Sequence, residues 1–384
     1  MSIAIANLYA RRLVIKIMTG RYNFRNYEKF KYLNPNQRTF GHVAQSAGYT
    51  TAVAGKWQLD GSLEDDFSRK FGFDQYCVWY LNQKMFGSRY LHPRLAQNGK
   101  EVGGKGLYGP DIVNDFALQF ISEHKDEKFF LYYPMILPHF PFEATPDSDD
   151  WDPAAAKPKK NAKYYVDMVE YADKLVGKVL AKVEELGLED NTLILFTSDN
   201  GTMRGIHSQW NGQDYAGGKG RLDNTGTHVP LIVRWNKVVK GGQVSKALVD
   251  FSDFFATIQE VTGGVGPKDY TIDGKSFLPL LKGDVYYQER AYTYCYYDPK
   301  WGTPELGAWV RNQSYKVYGN EGPCYDVSAD YFEKKPLVGD TAKAELAQLE
   351  KVMAEKEAEG GVLKLKFNRD GFPKEKKGSS KRGK

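Results

Sequence analysis

Residues 193–201 read LILFTSDNG, a short apolar run that ends in Asp199, Asn200 and a glycine. Five or six consecutive apolar residues suit a strand covered on both faces, as in a parallel sheet between layers of helices. Immediately upstream, Tyr165, Met168, Val169, Ala172, Leu175, Val176, Val179, Leu180, Val183 and Leu186 recur at helical spacing, and Gly187 closes that helix. In open α/β sheets, ligand groups gather just past the carboxyl ends of such strands. A carboxylate beside an amide there offers hard oxygen ligands of the kind that suit Ca²⁺ or Mg²⁺. A plain Ser-Asp-Asn-Gly turn is the competing account of the same residues.

The same alternation extends outward in both directions. Residues 39–47 (TFGHVAQSA) predict a helix stopped by Gly48, followed by a strand at 51–55. Ile112, Val113, Phe116, Ala117, Phe120 and Ile121 predict a second helix, followed by the buried strand FFLYYPMIL at 129–137. PLIVRW (230–235) is a further strand, with a helix at 250–262 after it. The expected fold class is therefore α/β, with a large mixed, mostly parallel sheet sandwiched by helices. After about residue 284 the texture changes to short aromatic segments bounded by turns, AYTYCYYD (291–298), AWVRN (308–312) and YKVYG (315–319), and then a charged helix at about 339–358. These predict a small C-terminal α+β domain, an antiparallel sheet plus a helix, giving domains at 1–284 and 285–384.

Composition narrows the function classes. The formal charge of +5 is small for 384 residues, and much of it sits in the tail KEKKGSSKRGK (374–384), so no nucleic-acid partner is indicated. No apolar run approaches the roughly 20 residues of a membrane span. Residues 1–18 carry arginines mid-segment and no small-residue cleavage site, a poor signal peptide. Cys77, Cys295 and Cys324 show neither metal spacing nor a disulfide framework. The 26 Tyr and 7 Trp could stack on sugars or aryl groups, although packing accounts for most such residues.

Several polar groups recur at predicted strand ends. Gly55-Lys56-Trp57-Gln58 follows the first strand, Pro138-His139 the second and Asp199-Asn200 the third, while GGKG (217–220) lies in the loop before the fourth. Two lysines, a histidine and a cation pair converging on one rim describe a site for a tetrahedral oxyanion. Taken singly, each has an ordinary alternative as a surface charge, a structural histidine or a flexible loop, and GGKG lacks P-loop spacing.

These segments together resemble the sulfatase family, of the arylsulfatase type within the alkaline-phosphatase-like superfamily. The ordered motifs are TGRYNFR (19–25), AGYTTAVAGKWQL (47–59), FFLYYPMILPHFPF (129–142), the run 176–201, GGKG (217–220), GTHVPLIVRW (226–235), DGKSFLPLL (273–281) and RNQSYKVY (311–318). The resemblance implies Asp199 and Asn200 as Ca²⁺ ligands and Lys56 as a holder of the nucleophile and a sulfate oxygen. It implies that His139 and Lys219 grip the sulfate and assist departure of the alcohol. The substrate is then a sulfate ester.

Two departures bear on activity. In the family, TGR closes a motif that begins Cys-x-Pro-Ser-Arg, whose cysteine becomes the formylglycine nucleophile. Counting back from Thr19-Gly20-Arg21 puts Ala10 at the cysteine and Arg12, Leu13 and Val14 at the Pro, Ser and Arg positions. The paired first-strand aspartates also lack a counterpart, and family likeness starts near Lys16-Ile17-Met18, as expected of a truncated or frame-disrupted product. Ca²⁺ binding is accordingly expected to be weak. Gln58 stands where many sulfatases carry histidine. An amide can hydrogen-bond to a sulfate oxygen but takes no proton near neutral pH. The expectation is a sulfuric ester hydrolase by family whose literal chain is inactive. The alternatives are a non-catalytic sulfate- or sulfoglycan-binding protein and a phosphodiesterase or phosphonate hydrolase of the same superfamily. Tyr90, Tyr108, Trp210 and Tyr215 are candidates for a sugar-stacking rim, or else ordinary packed loop aromatics.

Overall fold

The computed structural model describes residues 2–7, 11–26, 32–57, 59, 68–80, 88–297, 307–319, 322–339 and 341–360. One eight-stranded sheet dominates. Its strands are β1 (Ser2–Asn7), β2 (Thr50–Trp57), β3 (Gln75–Tyr80), β4 (Arg94–Gln97), β5 (Lys100–Gly103), β6 (Phe129–Met135), β7 (Leu193–Ser198) and β10 (Leu231–Arg234), in the order β10-β7-β1-β6-β2-β3-β4-β5. The run from β7 to β3 is parallel, while β10, β4 and β5 are antiparallel additions at the two edges. A separate hairpin, β8 (His207–Trp210) with β9 (Gln213–Ala216), lies between β7 and β10 in the chain.

Helices cover both faces, as the unbroken apolar strands require. On one face lie α1 (Arg11–Thr19), the single turn α2 (Asn23–Asn26), α3 (Phe40–Ser46), α7 (Asp253–Thr262) and the short α8 (Leu278–Leu281); buried residues of α1, α3 and α7 pack with Val53, Phe130, Tyr132 and Leu195. The other face holds α4 (Gly109–Glu123) and α5 (Tyr164–Glu185), which bury Phe116, Phe120, Met168, Leu175 and Val179 against Leu131, Tyr133 and Ile194. Helix α6 (Asn224–Thr227) is one turn capped by Asp223. Local signals set these boundaries. Thr39 and His42 form a capping box at the start of α3, and Gly187 adopts φ 66° just past α5. The buried face of α5 runs through Tyr164, Met168, Tyr171, Leu175, Val179 and Val183, so Val169 of the predicted stripe turns outward.

Ser2–Asn7 lies between β7 and β6 within the sheet, in register from Ser2 opposite Phe130 and Leu193 to Asn7 opposite Met135 and Ser198. An alternating Ile/Ala run is short and small enough to enter a sheet between two strands. It brings no aspartate, and Asn7 stands at its carboxyl end.

A second, four-stranded antiparallel sheet joins β11 (Thr293–Tyr297), β12 (Gly307–Arg311), β13 (Tyr315–Tyr318) and β14 (Cys324–Asp326), with α9 (Lys343–Gly360) lying across β12 and β13. Its core joins Tyr294, Val310, Val317, Leu349 and Met353 with Tyr22, which follows α1. Buried charges complete the junction. Lys16 Nζ donates to Asp250 Oδ2 at 2.8 Å and to the Tyr294 carbonyl at 3.0 Å, while Arg290 pairs with Asp253.

Breaking one side of a buried pair strands the other charge, at a cost of about 3 kcal/mol. Lys16→Met should lower the stability measured by urea unfolding by about that amount, and adding Asp250→Asn should recover part of the loss. Full additivity of the two changes would disprove the pairing.

Candidate active site

Parallel strands β7, β1, β6 and β2 end on the same side of the sheet, and the polar side chains gather there. Lys56 is the penultimate residue of β2 and only 2 % exposed. It gets there because Gly55, at φ 125°, lets β2 approach β6; a Cβ at 55 would lie 1.9 Å from the Pro134 carbonyl oxygen. Asp199, buried, and Asn200 follow β7 directly. The Asn200 amide donates to the Gly201 carbonyl at 2.9 Å. His139 lies in the turn after β6, where the Tyr90 hydroxyl donates to the carbonyls of Ile136, at 3.2 Å, and His139.

Lys219 arrives from the loop before α6. Its backbone N–H donates to the Thr202 carbonyl at 2.9 Å, and Gly217 N–H reaches the Ile206 carbonyl at 2.8 Å. The GGKG run is thus a packed element. A Cβ at Gly218 would meet Thr225 Oγ1 at 1.9 Å, and one at Gly201 would meet the Thr225 carbonyl oxygen at 1.8 Å. Glycine allows the loops after β7 and before α6 to pack backbone against backbone.

Arg89 is the residue that sequence reasoning missed. Its guanidinium lies over Trp79 and Tyr90, donates through Nη2 to His139 Nδ1 at 2.8 Å, and also reaches the Phe140 carbonyl. No motif marked it, since its segment drew notice only for aromatics. The Phe140 carbonyl oxygen also lies against Nδ1, so that nitrogen faces both a donor and an acceptor.

The electrostatics follow from gathering cations in a poorly solvated rim. Burial, then the charges of Lys56, Lys219 and Arg89, hold the His139 imidazole far below its ordinary range, so it is neutral. Burial brings the Lys219 ammonium down to about 7, with Arg89 acting in the same direction and Asp199 opposing. Glu143 is buried beside this group, with Lys160 Nζ 4.0 Å from Oε1 and no hydrogen-bond partner for Oε2 among the described residues. Burial pushes its carboxyl up to about 7, against the pull of Lys160 and Arg89.

Asp199, Asn200 and Lys219 line a cavity of about 1650 Å³ that runs past β10 toward β11 and β12, whereas Lys56 and His139 are not among its lining. Gln58 and Ala10 fall outside the described residues. Two rim aromatics are reassigned. Tyr90 and Tyr108 are almost fully buried packing residues, while Trp210 is partly exposed and packs on Tyr331 and Phe332, with Tyr215 beside them.

For a metal, the described residues offer no group of three or more His, Cys, Asp or Glu side chains placed to share one. The strand-end residues named above supply one carboxylate, Asp199, and the Asn200 amide, among the cations Lys56, Lys219 and Arg89. That set does not fit Ca²⁺, which takes six or more oxygen ligands and depends on their charge.

Comparison with known proteins shows what the chain is similar to. The Sulfatase family model matches residues 9–265, and that of the N-sulphoglucosamine sulphohydrolase C-terminal region matches residues 219–359. The match begins upstream of the likeness seen from Lys16. An N-acetylglucosamine-6-O-sulfatase of Bacteroides thetaiotaomicron is 24% identical, over 87% of this chain and 74% of its own length. Arylsulfatase D of Homo sapiens is 31% identical, over 59% of this chain but only 42% of its own length. Among solved structures, one described as in complex with its substrate D-glucosamine-2-N,6-O-disulfate superposes with a TM-score of 0.71 at 22% identity, covering 93% of this chain and 89% of that one.

The Glu143 carboxyl has a testable consequence. Its pKa is about 7 in the fold against 4.5 ordinarily, so the fold favours the protonated form. The associated stability is fully present below about pH 4.5 and is lost as pH rises through about 7. Glu143→Gln, permanently neutral, should exceed the native protein in stability by on the order of 1 kcal/mol at about pH 8 and match it near pH 4.5. Urea unfolding at both pH values checks this; an equal effect at both would contradict it.

Proposed function

This chain belongs to the sulfatase family, whose members are sulfuric ester hydrolases, and from that premise we propose that its strand-end rim binds the sulfate group of a sulfate ester, with a sulfated sugar as the natural ligand. The observation that carries the reading is the gathering of Lys56, His139, Lys219 and Arg89, which act on one another electrostatically, from two strand ends and two loops. The similarity to an N-acetylglucosamine-6-O-sulfatase supports the sugar.

Each group has a distinct task in this proposal. Lys56 supplies a buried positive charge to one sulfate oxygen. Neutral His139, held beside the Arg89 guanidinium, presents its imidazole edge to another, and preoriented polar groups act strongly where water is excluded. Lys219, poised near 7, carries charge to meet the anion. Asp199 keeps that ammonium from losing its proton altogether. Ca²⁺ would supply Lewis-acid neutralisation in the family; the described donors do not fit it, and no step here passes through it.

Turnover needs a nucleophile, and the matched position holds Ala10, a methyl group without a lone pair. We therefore read the chain as a binder of sulfate esters that does not cleave them. Hydrolysis of nitrocatechol sulfate should not exceed that of a Lys56→Ala, Lys219→Ala double variant. Removing a covalent-catalysis residue costs roughly 10⁴–10⁶-fold in other enzymes. Turnover clearly above that control would show that another residue has taken the role. In the same calorimetry series used below, millimolar Ca²⁺ should give no binding heat. A micromolar affinity abolished by Asp199→Ala would reject this account of the metal.

Binding should also depend on pH with a defined sign. Only protonated Lys219 attracts the anion, so sulfate affinity is greatest below about 7 and falls roughly tenfold from pH 6 to pH 8. Isothermal calorimetry with inorganic sulfate measures this. Lys219→Gln should bind more weakly and flatten the profile, and an unchanged slope would assign the dependence to another group.

A further inference from the structure

We infer that Lys316 and Glu333, a buried ion pair of the antiparallel sheet and the loop after it, are positioning residues for the strand-end rim: they hold residues 222–224 and, through them, the placement of Lys219. The inference rests on the sulfate-binding reading above and names what fixes one of its cations. Lys316, on β13, is fully buried; its ammonium donates to Glu333 Oε1 at 2.9 Å and to the Leu222 carbonyl at 2.7 Å. The same carboxylate oxygen accepts the backbone N–H of Asn224 at 2.8 Å, and Oε2 accepts from the Tyr318 hydroxyl. The Asn224 side chain completes the clasp. Its amide donates to the Tyr331 carbonyl at 3.0 Å, and its Oδ1 accepts from Arg311 Nη1 at 3.2 Å. Residues 222–224 are thus gripped at two backbone atoms and at both ends of one side chain, all from more than 80 residues further along the chain.

A buried ion pair adds little net stability over an apolar pair of similar volume. What this pair adds is the fixing of two backbone atoms of the loop. Glu333 also stands at φ 55°, the left-handed region that a non-glycine residue seldom adopts. Such a backbone persists where its surroundings hold it, and it marks places under constraint. The loop passes the constraint on without slack. Arg221 N–H donates to the Gly218 carbonyl at 2.8 Å, and a Cβ at Gly226 would lie 2.3 Å from the Arg221 carbonyl oxygen and 2.5 Å from that of Gly218. Gly201 N–H donates to the Gly226 carbonyl at 3.0 Å, and Lys219 N–H to that of Thr202 at 2.9 Å. Residues 218–226 therefore fold on themselves and onto the segment after β7, so a shift at 222–224 moves Lys219 relative to the strand ends.

Isothermal calorimetry with inorganic sulfate at pH 6.5 tests this through a double-mutant cycle. Lys219→Gln should weaken binding about tenfold in the native background, as expected on losing one charge-assisted contact. In Lys316→Met, Glu333→Leu, which removes the clasp and strands no charge, the same change should weaken it only about twofold. Glu333→Gln keeps a carbonyl oxygen for the Asn224 N–H and should preserve most of the tenfold effect. Arg290→Met breaks the buried pair with Asp253 and leaves residues 218–226 their own bonds, so the tenfold effect should persist there despite the lost stability. If Lys316→Met, Glu333→Leu does not unfold cooperatively in urea, Asn224→Ala carries the test; it drops only the two side-chain bonds and should reduce the effect of Lys219→Gln to about fourfold. An undiminished effect of Lys219→Gln once the clasp is removed would overturn the inference and leave the sulfate site standing. An equal reduction in Arg290→Met would also overturn it, by assigning the change to stability alone. Absence of sulfate binding by the native chain would overturn the sulfate-binding reading and this inference with it.

Discussion

The parallel register of four strands is the constraint on which the site depends. Asn7 is level with both Met135 and Ser198, and β2 joins β6 through Thr50 opposite Phe129. Strand ends aligned in this way bring Lys56, the His139 turn and Asp199 to one rim although they lie far apart in the chain. The helices on both faces supply the apolar cover that makes such a sheet stable, and the central strands have nowhere to place charge except at their ends. A one-residue slip of β2 against β6 would move Lys56 out of reach and put Gly55 out of register with the Pro134 carbonyl.

Much of this architecture was legible because its signals are local. The α5 stripe, the caps at Thr39 and Gly187, and the apolar strands carry their own periodicity. What sequence reading lacked were features whose cause is tertiary. Ser2–Asn7 enters the centre of the sheet only because β6 and β7 leave a slot for it. Two antiparallel hairpins, β4 with β5 and β8 with β9, are four-residue strands too short to show alternation. Val169 looked like a core residue from spacing, yet the helix axis turns it outward by 41 % exposure.

The candidate site divides along the same line. Pattern alone places Lys56, His139, Asp199 and Asn200 after apolar strands and Lys219 in the loop before another, and their roles came from the family resemblance. Pattern could not place Arg89. It precedes a buried tyrosine in a segment without periodicity, and its meaning comes from the 2.8 Å contact to His139 Nδ1. Tyr90 and Tyr108 show the converse error, since aromatic side chains in a loop say nothing about which end faces solvent. Tyr90 turns inward because its hydroxyl satisfies two carbonyls of the histidine turn.

The charge balance is what makes the proposed rim suit anions. Three cations held close together in a poorly solvated place repel one another, and the fold relieves that repulsion by keeping His139 neutral and bringing Lys219 near 7. In the proposed reading an oxyanion reverses one of these: Lys219 regains its proton, while the imidazole stays neutral. Asp199 works in the same sense, since a carboxylate beside Lys219 preserves part of its charge in the absence of ligand. One carboxylate among three cations makes a poor cation site and a good acceptor for a tetrahedral dianion or monoester. The protonation states therefore follow from packing, and packing follows from strand register and from glycines 55, 201 and 218, where no other residue fits between the backbones.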